Sequence, residues 1–386
     1  MSDTVYSKAK EFVTAVKDLI PAESFIPLHP PVFNGKEKEY LIETVDSTFV
    51  SSVGPFVDKV ETQLASLTGC KKAVAVVNGT AALHTALKLA GVMRETEVIT
   101  QSLTFIATAN AISYLGALPV FLDVDLDTMG LSPSSVRAFL EEFGEIREDG
   151  CYNKSTGRRI SACVPMHTFG FMTRIEELIR VCREYNIPVV EDAAEALGSS
   201  YRGKPAGSFG EISALSFNGN KVVTAGGGGA ILTTNDELGS KAKHITTTAK
   251  VPHRWEYRHD EIGFNYRMPN VNAALLSAQL ESLDDILKHK KQLFSAYVSS
   301  FEAMGLKLNQ PPAESEWNYW LMSVELNSFE ERNAFLEYTN SNGVMTRPIW
   351  ELMHRMPMFE HCYKDDQKNS EYLEARIVNI PSNARV

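Results

Sequence analysis

The sequence predicts an α/β fold, with a large domain on a mostly parallel sheet followed by a smaller α+β C-terminal domain. Three observations predict it. Between about residues 71 and 235, short β-branched runs alternate with helical segments, the pattern of strands joined by crossover helices. Beyond about Thr246 the alternation weakens, and a second, shorter mixture of strands and helix follows. The chain has 386 residues, 44% hydrophobic and 22% charged, which supplies a large core and a prior of two domains.

Taken in order, residues 1–25 read as an N-terminal amphipathic helix. Tyr6, Phe12, Val13, Val16, Leu19 and Ile20 recur at helical spacings and Pro21 ends the pattern, which suits a packing or dimer-contact helix. The large domain covers 26–250. Its strands are expected at 73–77, 97–100, 119–124, 160–166, 187–191, 212–217 and 229–234, with helices at 81–91, 105–114, 132–143, 174–186 and 236–243. Ligands of such a sheet lie outside the carboxyl ends of its strands, so the loops after those runs are where chemistry is sought. The small domain covers 251–386. A stretch rich in His and Arg leads into a long helical pattern over 270–305, then strands at 321–326 and 343–349 around a helix at 328–340, with Pro311 and Pro312 marking a seam.

Composition narrows the partners. A formal net charge of -10 repels a phosphate backbone on average, so no nucleic acid is expected. The five cysteines are scattered, odd in number and never in a C-x-x-C pair, so neither a disulfide framework nor a metal site is suggested and a cytoplasmic location fits. No apolar run approaches the roughly 18 residues that span a bilayer, and the charged start is no signal core. Small-molecule chemistry is the better starting point.

Three loops carry candidate chemistry. The first strand leads into Asn78-Gly79-Thr80-Ala81-Ala82 and then a helix. A glycine, a hydroxyl and free N–H groups at a helix start favour an anion, although N-G-T is also an ordinary turn with a Thr N-cap. The strand ending at Glu191 is followed by Asp192-Ala193-Ala194-Glu195. An acid there can hold a protonated pyridine nitrogen, or simply cap a helix. The third loop is Ser216-Phe217-Asn218-Gly219-Asn220-Lys221, with glycines at 226–229. Most lysines lie on the surface. A lysine between two apolar strands and beside tight glycine turns is instead placed to form a Schiff base with a carbonyl cofactor.

Together the ordered segments NGTAALHTAL, QSLTFIATANAI, EDAAEALGS, SFNGNKVVTAGGGGAILT and GFNYRMPNVNAA resemble the DegT/DnrJ/EryC1/StrS family of pyridoxal-phosphate (PLP) dependent sugar aminotransferases. The resemblance covers about residues 25–350. It looks closest to enzymes aminating C4 of a UDP-linked 4-keto-6-deoxy-N-acetylhexosamine in bacillosamine and legionaminic-acid pathways. It implies the aspartate aminotransferase fold type I, a homodimer, PLP as cofactor, L-glutamate as donor and a nucleotide-linked keto-sugar as acceptor. A GDP-linked 4-keto-6-deoxymannose or a keto-sugar acid is the alternative acceptor. A non-catalytic PLP-binding protein is the alternative class.

By motif, Lys221 would carry the cofactor and Asp192 would pair with its ring nitrogen. Glu195 would lie near its phenolic oxygen, where relatives often have Gln. Phe105 would stack on the ring, its alternative being a core Phe at a helix start. Gly79, Thr80, Ala81 and Ser216 match phosphate contacts, and Asn265 matches a residue reaching the phosphate of the neighbouring subunit. His167, Tyr266, Arg267 and Arg347, with Trp350, match residues near the substrate. Their alternatives are a satisfied structural histidine, a loop ion pair and a core Trp. Dehydrating relatives carry histidine in place of the lysine, so Lys221 argues for amination. The first 25 residues precede the usual family start, and IVNIPSNARV ends where relatives usually continue into a final helix.

Overall fold

In the computed structural model, which describes residues 2–20 and 24–384, the β-branched runs become seven strands of one sheet. These are β1 (Lys72–Val76), β2 (Glu97–Gln101), β3 (Leu118–Leu122), β4 (Arg159–Val164), β5 (Val190–Asp192), β6 (Ile212–Ser216) and β7 (Gly229–Thr233). Their order is β1-β7-β6-β5-β4-β2-β3, the two halves being joined by parallel bridges Cys163↔Val189 and Met166↔Asp192. β7 runs antiparallel to both neighbours, while β6/β5, β4/β2 and β2/β3 pair in parallel. The expectation of a mostly parallel sheet thus holds with one reversed strand. The reversal has a local cause: no helix lies between Ser216 and Gly229, and a parallel return needs a crossover, usually helical. All five residues of β2 and of β7 are buried, as in a sheet covered on both faces.

The crossover helices are α4 (Gly79–Leu89), α5 (Ile106–Tyr114), α6 (Pro133–Phe143), α7 (Ile175–Glu184) and α8 (Asp236–Thr246), preceded in the chain by α1 (Ser2–Leu19), α2 (Glu37–Asp46) and α3 (Pro55–Thr68). The sequence reading passed over α2 and α3. α3 nevertheless carries clear punctuation: Pro55 stands in its first turn and Gly69 stops it at φ 70°, a left-handed backbone that glycine adopts without strain. A hairpin of Gly144–Arg147 and Gly150–Asn153, also unforeseen, turns at Glu148-Asp149.

The helix expected over 270–305 is two, α9 (Asn270–Glu281) and α10 (Leu283–Glu302), broken at Ser282. α9 packs on α2 and α3, and Gln279 Nε2 donates to Glu37 Oε1 at 2.7 Å. This helix, within the span expected for the small domain, therefore sits against large-domain elements. The C-terminal sheet consists of β8 (Lys307–Leu308), β9 (Ser323–Glu325), β10 (Arg347–Pro348) and β11 (Ile377–Asn379), antiparallel in the order β8-β9-β11-β10. α11 (Phe329–Ser341) precedes β10 and is N-capped by Ser328, whose side chain accepts the Glu331 N–H. α1 packs on α10 and α11: the Phe12 ring lies 5.2 Å from Phe301 and 4.9 Å from Phe335. Among the described residues no helix is long and apolar enough to cross a membrane.

Candidate active site

The carboxyl ends of β1, β5 and β6 open on one cavity of about 700 Å³, closed from the other side by segments around Trp320 and Arg347. Its floor contains Lys221. The amine lies 3.1 Å from Glu195 Oε1, with the lysine side chain 13% and the glutamate side chain 2% exposed. Its other flank is the Trp320 ring, whose centroid is 4.0 Å away.

Glu195 is fixed by its second oxygen, which accepts the Phe169 N–H at 2.9 Å. Phe169 holds a left-handed φ of 57°, uncommon for a bulky residue and sustained by its surroundings. One of them is Trp317, whose indole N–H donates to the Phe169 carbonyl at 2.9 Å. Burial pushes the Glu195 carboxyl up to about 7, against the pull of Lys221. Asp192 is the last residue of β5, 4% exposed. Its Oδ2 accepts from Thr108 Oγ1 at 2.8 Å and its Oδ1 from the Ala194 N–H at 3.2 Å, so it closes a local turn and caps no helix. Burial raises its carboxyl too, opposed by those hydrogen bonds and by Lys221.

The N-cap of α4 is Asn78, not Thr80: its side chain accepts the Ala81 N–H at 2.7 Å. The Ala81 N–H is therefore engaged, which removes it from the expected phosphate contacts and leaves those of Gly79 and Thr80 at the cavity. A Cβ on Gly79 would stand 2.7 Å from that of Ser216. Only glycine lets the helix start approach the end of β6 so closely.

The chain matches the DegT/DnrJ/EryC1/StrS aminotransferase family over residues 32–386. It belongs to that family. It is 36% identical over 360 residues to a protein named GDP-perosamine synthase from Escherichia coli O157:H7, covering 93% of each chain. It is 34% identical to one of the same name from Caulobacter vibrioides, again covering 93% of each. The solved aminotransferase from Psychrobacter cryohalolentis superposes with a TM-score of 0.80 at 26% identity, covering 93% of both chains.

As a member of this family the chain is a PLP-dependent aminotransferase of fold type I, and its cavity fits that cofactor. The glycine-dependent cleft between Gly79 and Ser216, with the N-terminus of α4, suits a phosphate. Asp192 suits a ring nitrogen cation. Phe105 is 47% exposed and lines the cavity with its ring 6.2 Å from that of Trp350; it is a wall of the site and not a core residue.

Arg347 and Trp350 also line the cavity. Arg347 pairs with no carboxylate among the described residues; it donates to Asn340 Oδ1 at 3.0 Å and to the Thr346 carbonyl. His167 is elsewhere. It is fully buried behind the sheet, with Nε2 2.9 Å from Glu191 and Nδ1 accepting the Thr173 N–H. It is a satisfied structural histidine, and the expected substrate contact is corrected. Asn265, Tyr266 and Arg267 do not line this chain's cavity. They run beside β1, where the Val77 N–H donates to the Tyr266 carbonyl. Tyr266 OH meets His84 Nδ1 at 3.2 Å, and exposed Asn265 accepts from Arg267.

Sequence reasoning missed Thr108 and Trp320. Thr108 lies three residues after the singled-out Phe105, so one helical turn would have placed it on the same side. For Trp320 the signal was the WNYW run before β9, three large aromatics within four residues.

Proposed function

We propose that this aminotransferase moves an amino group from L-glutamate to the C4 keto carbon of a nucleotide-linked 6-deoxysugar. The observation carrying this reading is the cavity itself: about 700 Å³, with Lys221 and Glu195 at the floor and Arg347, Asn218 and Asn379 at its polar side. That volume and polarity suit a sugar carrying a diphosphate better than an amino acid alone. Buried Asn379 Oδ1 has no protein partner, which leaves it available to a hydroxyl. The GDP-linked keto-sugar takes precedence because relatives at 36% and 34% identity carry the name GDP-perosamine synthase. The UDP-linked acetamido sugar remains the second reading, favoured by the motif resemblance.

PLP, when bound, supplies an electron sink for the donor's α-carbon. Asp192 keeps the ring nitrogen cationic, and Thr108 aims its carboxylate. Gly79, Thr80 and Ser216 hold the phosphate. Lys221 Nζ, held between Glu195 and Trp320, would take the proton from the donor's α-carbon and return it at C4′ of the cofactor, two bonds away across the nitrogen; with the sugar it would run the transfer in reverse. Arg347 binds the diphosphate. Exposed Asn265 serves the site of a second copy, so the working unit is a homodimer, acting in the cytoplasm.

Purified enzyme with PLP and L-glutamate, offered GDP- and UDP-linked 4-keto-6-deoxysugars, tests this by mass spectrometry. The expected product is the amino sugar, with 2-oxoglutarate released. Turnover of amino acid and keto acid pairs, with no nucleotide sugar converted, would sink the reading.

A further inference from the structure

Lys290 lies in the middle of α10 and is fully buried, and among the described residues it pairs with no carboxylate. Its amine donates to the backbone carbonyls of Trp320, at 3.2 Å, and of Ser382, and lies 2.9 Å from His29 Nε2. Burial drives its ammonium well below the usual lysine range. The three partners come from the start of the chain, from the segment before β9 and from the end. One buried amine therefore ties three distant segments at a single point beneath the cavity floor.

Trp320 is held at its other polar groups as well. Its indole N–H donates to the Asn220 carbonyl at 2.6 Å, and its backbone N–H donates to Asn318 Oδ1 at 2.9 Å. Asn218-to-Lys221 is the loop that carries the lysine, so the indole is bonded to the residue next to Lys221 in sequence. Asn318 Nδ2 in turn donates to the Glu195 carbonyl at 2.7 Å. The fixed ring places its centroid 4.0 Å from Lys221 Nζ. An aromatic face attracts a cation through its quadrupole, most strongly for Trp and away from water. Trp320 is 2% exposed.

We infer that Trp320 is a positioning residue for Lys221: its indole face, anchored by Lys290 and Asn220, holds the lysine's positive charge opposite Glu195 and so fixes the direction from which Nζ reaches its reacting partners. The other charged or titratable groups acting on Lys221 include Asp192 and His29. The inference rests on the proposed role of Lys221 as the lysine that binds PLP.

The test is a pH titration of the visible absorbance band of PLP-loaded enzyme, in the parent and in W320F, W320L and K290M. Removing the aromatic face makes the positive charge at Nζ easier to lose. The band's midpoint falls by about one pH unit in W320L, stays nearer the parent in W320F, and moves downward in K290M. An unmoved midpoint in W320L, or equal shifts in W320L and W320F, overturns the inference, and the Trp320 pair decides it whether or not K290M folds. Lys221→Ala is the control: a band that survives there defeats the reading of Lys221 itself. Loss of the band there, with an unmoved midpoint in W320L, defeats the inference alone.

Discussion

Glu191 and Asp192 are neighbours on β5, equally buried, and they face opposite sides of the sheet. Glu191 looks back into the protein, where His167 Nε2, the N–H groups of Gly207, Phe209 and Gly210, and the Ser213 hydroxyl all converge on its two oxygens. Burial alone would raise its carboxyl, yet these partners hold it below the usual range. Asp192 looks into the cavity with one hydroxyl and one N–H, and burial keeps its carboxyl raised. The side turned inward has its hydrogen bonding completed by the protein. The side turned to the cavity is left incomplete, with capacity for a cationic ligand.

The first way to break this contrast is to remove the inward acid. Glu191→Ala leaves four N–H groups and a hydroxyl with no acceptor, and unfolding free energy should fall by about 3–5 kcal/mol, the range for breaking a buried pair. Chemical denaturation measures it. PLP should still bind to the protein that remains folded; a Tm equal to the parent's would mean that the cluster carries no stability.

On the cavity side the same operation should do the reverse. Asp192→Asn removes a charge that burial disfavours, so stability is kept or improved, while turnover falls about 100-fold or more because a preorganised charge at the cofactor is lost. Kinetics and thermal melts on one preparation separate the two. A large stability loss with turnover intact would erase the distinction between the two acids.

The smallest effect belongs to Glu195. Its carboxyl is raised to about 7 in the folded protein from the ordinary 4.5. A raised acid contributes stability that is present below its unfolded value and lost as pH climbs through the folded one. The Tm of Glu195→Gln relative to the parent should therefore increase as pH is taken from about 5 to about 8. A difference that does not change with pH would show that Lys221 compensates the charge fully.

Much of this site was legible because it is local. Asn78-Gly79-Thr80, Asp192 with Glu195, and Ser216 through Lys221 each follow a strand directly, and a sheet that is largely parallel brings strand ends to one edge. What was illegible depends on which face a side chain takes or on contacts far apart in sequence. His167 follows β4 as Asp192 ends β5, yet the pleat turns its side chain away from the cavity, and nothing in PMHTFG reveals that. Thr108 and Asp192 are 84 positions apart, and the Lys290 amine joins residues from both ends of the chain. Phe105 shows the converse: its apolar character suggested core, but its place at the start of α5 leaves the ring at the cavity. The reversed strand β7 was legible in principle, since its connection contains glycines and no helix.

The central claim is that Lys221 holds the cofactor on the cavity side of this divided sheet. The most direct measurement is borohydride reduction of the PLP-loaded enzyme followed by peptide mass mapping. The account predicts the phosphopyridoxyl mass on the peptide containing Lys221, and no such adduct in Lys221→Ala. The adduct on another lysine, or no adduct in an enzyme that still transaminates, would contradict it.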